Sequence, residues 1–151
     1  MRRVALSLAL LCGCAADDDP EPSGPRIEFL RPGTLDPLNE GTDCRVYLRM
    51  QGDFGTEVDI RIFGLELDTL TNFAISIESD EGHELAHQLF LPTSTAQDLG
   101  DGSIAIAELP VVFHEDVMPA EVDDAPATMR AEMETTPAAT GELGVVLQRM
   151  D

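Results

Sequence analysis

His83, Glu84 and His87 are the residues of this chain whose types and spacing could do chemistry. On a helix, histidines four positions apart stand one turn apart and can grip a single Zn²⁺ through bonds of about 2.1 Å. The carboxylate that follows the first of them could then polarise a metal-bound water. A third donor would have to come from Glu108, His114 or Glu115, and no motif marks any of the three. On a strand the same two histidines lie about 13 Å from each other, and no one ion bridges them. The chemistry therefore depends on the backbone of residues 79–92.

Two elements compete for that stretch. Ser79 could cap a helix, Leu85, Ala86, Leu89 and Phe90 would share one of its faces, and Pro92 would end it. Against this, Ser79-Asp80-Glu81-Gly82 is a good turn after a strand ending at Ile77. Leu85, His87, Leu89 and Leu91 then alternate as a returning strand does, and Gly82 and Glu81 suit a first helical turn poorly. The reading is a β-hairpin with two partly exposed histidines, no catalytic residue and no resident metal. The alternative keeps Glu84 as general base with His83 and His87 as zinc ligands.

Over its five residues, His83-Glu84-Leu85-Ala86-His87 spells HExxH and resembles the zincin metalloproteases. That resemblance implies a zinc-dependent hydrolase with those three residues in those roles, and nothing further. The longer metzincin form is absent, because Phe90 and Thr93 stand where its glycine and third histidine would. A further alternative is a calcium-stabilised, adhesion-like domain. Asp98-Leu99-Gly100-Asp101-Gly102 offers oxygen donors without the spacing of an EF-hand loop, and Asp116, Glu121, Asp123 and Asp124 offer a looser set. No nucleophile elbow and no glycine-rich phosphate cradle is present.

At the N-terminus, Met1-Arg2-Arg3 precedes an apolar run from Val4 to Leu11, the pattern of a secretory signal. The run is too short to span a bilayer as a helix, which takes about 20 apolar residues. Leu11-Cys12-Gly13-Cys14 resembles the lipobox of bacterial lipoproteins, with Cys12 where alanine or serine is usual. The resemblance implies cleavage after Gly13 and a diacylglyceryl group on Cys14. Ala15, rather than the aspartate that retains some such proteins at the inner membrane, then points to the outer membrane of the cell envelope. Two or more fatty chains anchor durably where one holds weakly.

Three segments follow: a signal peptide over 1–13, a lipidated cysteine with an acidic tether over 14–25, and one domain over 26–151. The tether carries four acids, three prolines and no large apolar residue, and spans roughly 18 Å as a coil and up to about 36 Å when stretched. After residue 13, seven arginines face 29 acids with no lysine, a net charge of −22. Such a surface repels nucleic acid and anionic headgroups, which leaves the lipid anchor as the membrane contact and an unidentified protein as partner. With Cys12 removed and Cys14 lipidated, Cys44 has no disulfide partner and reads as a small buried hydrophobe.

From Arg26 onward the dominant period is two. Ile27 and Phe29 alternate with charged neighbours; so do Cys44, Val46, Leu48 and Met50; so do Val58, Ile60 and Ile62. Phe73, Ile75 and Ile77 follow, then Ile104 and Ile106, a restart at Val111 to Phe113 after Pro110, Ala127 to Met133, and a last strand from Val145 to Gln148. Residues 118–127 read as an exposed loop. Seven to nine short alternating strands predict an all-β, antiparallel sandwich. The pattern resembles an immunoglobulin-like domain in architecture only, since the Cys-Trp-Cys hallmark is missing.

Overall fold

The computed structural model describes residues 24–91 and 95–150. The expected signal peptide, the expected lipidation site Cys14 and nearly all of the expected tether lie outside the described residues. Nine strands follow in order: β1 (Arg26–Leu30), β2 (Thr42–Leu48), β3 (Phe54–Phe63), β4 (Phe73–Ser79), β5 (Glu84–Phe90), β6 (Ala96–Asp98), β7 (Ser103–Val112), β8 (Ala125–Met133) and β9 (Ala139–Met150). Two short 3₁₀ turns, Leu67–Thr69 and Pro119–Glu121, complete the described elements.

Pairing sorts the strands into two layers. One runs β5-β4-β8-β9 and takes β2 on the far side of β9; the other runs β6-β7-β3-β1. Short contacts join them where the first two strands change sides, at Arg26↔Thr140 between β1 and β9 and at Tyr47↔Gly55 and Leu48↔Phe54 between β2 and β3. In the lettering of the immunoglobulin sandwich, β1-β3-β7-β6 is the ABED sheet and β4-β8-β9 the CFG sheet, with β5 added beside C. The domain is thus an all-β sandwich. It is not wholly antiparallel: β2 runs parallel to β9 from Thr42↔Val145 to Tyr47↔Met150. The N-terminal stretch is split, so its first half closes one sheet edge and its second half the other.

The alternation read from sequence supplies the core. Ile60, Ile62, Ile75, Ile77, Met129 and Leu147 are almost wholly buried between the layers. Each such side chain removed from water contributes about 1.5–3 kcal/mol. Among the described residues, where Thr56 and Ser103 are also buried, Asp59 is the one buried charged residue. Its carboxylate accepts the Gly33 amide and the Glu108 amide, both at 2.8 Å, pinning the turn after β1 to a bulge in β7 where Glu108 sits at φ 57°.

Four local expectations are corrected. Leu48 and Met50 are exposed, because they lie at and just beyond the last strand pair before the turn. The strand does not restart after Pro110: β7 runs through it, since β6 pairs only Ile104–Ile106 and proline sits where β7 is an edge. The last strand begins at Ala139, its first half hidden from a periodicity reading by Gly141 and Gly144. Residues 118–127 are not all exposed loop: Val122 is fully buried, and β8 starts at Ala125.

Candidate functional site

The HExxH residues lie on a hairpin. The Ser79 amide donates to the His83 carbonyl at 2.9 Å, the Gly82 amide donates back to Ser79, and the His83 amide reaches Ser79 Oγ at 3.1 Å. Gly82, at φ 82°, takes the left-handed position that closes the turn. Strand β5 then pairs antiparallel with β4 from Phe73↔Phe90 to Glu78↔Glu84. The helix that the zincin resemblance requires is therefore not formed.

A bulge decides which side chains meet. Ile77 opposes Ala86 and Glu78 opposes Glu84, so Leu85 is an extra residue on β5. Leu85 and Ala86 are both fully buried, and the pleat changes phase across them. Glu84 and His87, three apart and on opposite faces of a regular strand, consequently share the outer face. Glu84 Oε2 stands 3.6 Å from His87 Nδ1, and Glu84 Oε1 lies 3.3 Å from His114 Nε2. His114 is held there by its own amide, which donates to the Leu85 carbonyl at 2.9 Å, beside a one-residue bridge between Ala86 and Phe113.

His83 goes elsewhere. Its Nδ1 lies 2.7 Å from Glu121 Oε1, while Glu121 Oε2 accepts the Met118 amide at 2.7 Å and so caps the 3₁₀ turn. The Met118 amide first, and His83 second, hold the Glu121 carboxyl below the usual glutamate range. All three histidines of the chain thus gather at one end of the sandwich, half exposed, on two separate carboxylates. Contacts this exposed are screened by solvent and add little to stability.

The remaining donors considered from sequence are spread out. Glu108 occupies the β7 bulge and Glu115 is an exposed turn residue, and neither bonds an imidazole among the described residues. Asp98 accepts the Gly100 amide, and Asp101 pairs with Arg61 and Ser103. Asp124 takes Gln148 at 2.6 Å, away from the bonds of Glu121. Among the described residues no three His, Cys, Asp or Glu side chains are grouped to hold a metal ion. Cys44 is buried, its Sγ 3.5 Å from Thr56 Oγ1, and burial pushes its thiol up. Glu121 as the partner of His83 was not legible beforehand, because 38 residues separate them and only the fold closes the gap.

Fold and surface together define a class: an acidic β-sandwich bearing imidazole–carboxylate pairs at one end. No protein-family model, curated protein or solved structure matches the chain. Among the described residues no helix is long and apolar enough to cross a membrane.

Proposed function

We propose that the chain is a lipoprotein of the bacterial cell envelope, held by lipidated Cys14 at the outer membrane, whose sandwich serves as a non-enzymatic binding or spacer module. The observation that carries this reading is the lipobox Leu11-Cys12-Gly13-Cys14, followed by an acidic tether and, at Arg26, the first strand. A short tether and a rigid sandwich place loops and sheet edges a few nanometres from the bilayer, where they can meet a protein partner. The net charge of −22 after residue 13 keeps the protein surface off anionic headgroups, so the lipid makes the membrane contact.

The zinc-hydrolase reading needs His83 and His87 on one ion. The strand backbone from Glu84 to Phe90 and the separate carboxylates of the two rings weigh against it. The test of the anchor is metabolic labelling with a fatty-acid analogue in a bacterial host. Label is expected on the wild-type chain and absent from Cys14→Ser. Label persisting on Cys14→Ser would refute the anchor.

A further inference from the structure

The split between β1 and β2 leaves an opening in the sandwich. On that side β3 pairs with β1 from Asp59 onward and with β2 only at Phe54 and Gly55. Thr56, Glu57 and Val58 bond β7 on their other edge and have no strand on this one. Ahead of Tyr47, β2 instead runs along β9, tied to β3 by the Thr56 hydroxyl, which donates to the Arg45 carbonyl at 2.7 Å. The gap is a cavity of about 520 Å³, within the roughly 300–1,000 Å³ usual for small-molecule sites. Leu30, Val58 and Met129, otherwise core residues, form its floor with Cys44 beside them.

Two arginines stand at its rim, and their state sets them apart. Arg26 pairs with Glu28, Arg49 with Asp53, Arg61 with Asp101, and Arg130 with Glu78 and Glu142. Arg149 also has a partner. Among the described residues only Arg31 and Arg45 have no hydrogen bond or ion pair from their guanidinium, and both line this cavity. In a chain with 29 acids and no lysine, unpaired guanidiniums are the scarce resource. Asp43 and Glu57 share the rim and bond neither of them, so the local charge is balanced rather than strongly positive. A guanidinium fork matches a carboxylate bidentately, whereas the two rim acids disfavour a dianion.

We propose that this cleft binds a small amphipathic monocarboxylate, its carboxylate on Arg31 and Arg45 and its apolar chain over Leu30, Val58 and Met129. The site goes beyond the anchored-module reading and does not depend on lipidation of Cys14. The chain carries its own reporters: Tyr47, the one tyrosine in a chain without tryptophan, lines the cavity, as does Cys44.

The test uses the purified full chain and decanoate, titrated below its micelle concentration. Decanoate is expected to change Tyr47 emission saturably and to slow maleimide alkylation at Cys44, followed by peptide mass spectrometry. Decanol, with the same tail and no charge, is expected to bind at least tenfold more weakly. Arg31→Gln with Arg45→Gln, both exposed positions, is expected to weaken decanoate at least tenfold while leaving decanol and the melting temperature unchanged. Equal binding of decanoate and decanol, undiminished binding by the double variant, or no saturable change would each overturn the proposal.

Discussion

At Glu121 one carboxylate serves two donors, the Met118 amide and the His83 ring, and so ties the turn after β7 to the start of β5. Both contacts favour the ionised form, so the folded-state pKa lies below the unfolded one. A carboxyl depressed in this way contributes stability that is present above the ordinary glutamate range and lost as pH falls through the lower, folded value. We expect carbon NMR of the side-chain carboxyl to give Glu121 a titration midpoint below that of the other exposed glutamates, and His83→Ala to bring it part of the way back. A midpoint at the ordinary value would remove the tie. At this scale the sequence exposed little. The spacing of His83 and His87 was visible, but their partners depend on which residues the fold brings across from the β7–β8 connection. Arg31 and Arg45 looked like any other exposed arginines until the fold paired the other described arginines and left these two without a partner for their guanidiniums.

Element by element, the strands were legible wherever apolar side chains alternate, because burial on one face is what that period encodes. Where the structure departs, the cause is local. The extra residue Leu85 shifts the pleat of β5, and two adjacent buried residues cannot be told from a short helical face by pattern alone. Glycine hid the first half of β9, and Gly141 explains why glycine is there. A side chain on it would run into the Ile27 carbonyl at the point where β9 passes β1. We expect Gly141→Ala to cost about 2–3 kcal/mol, as overpacking against backbone does. The exposed neighbour Thr140→Ala should stay within about 0.5 kcal/mol. Urea denaturation of the two variants beside the wild type checks the difference, and equal stabilities would mean the crossing is looser than described.

For the molecule as a whole, the sandwich followed from many short strands, few helix signals and enough apolar residues to fill a space between two layers. The exchange of β1 and β2 between layers did not, because parallel pairing of β2 with β9 joins residues about a hundred positions apart and leaves no local trace. That exchange adds a strand at one edge of each layer and opens the cleft. The case against a zinc hydrolase rests on the pleat through Glu84–Phe90, which sends the imidazoles of His83 and His87 to different carboxylates. Its most direct test is the zinc content of the purified full chain after equilibration with Zn²⁺ and dialysis, alongside His83→Ala and His87→Ala. The account predicts no zinc retained in stoichiometric amount and no difference among the three proteins. One zinc per chain, lost on either substitution, would contradict it.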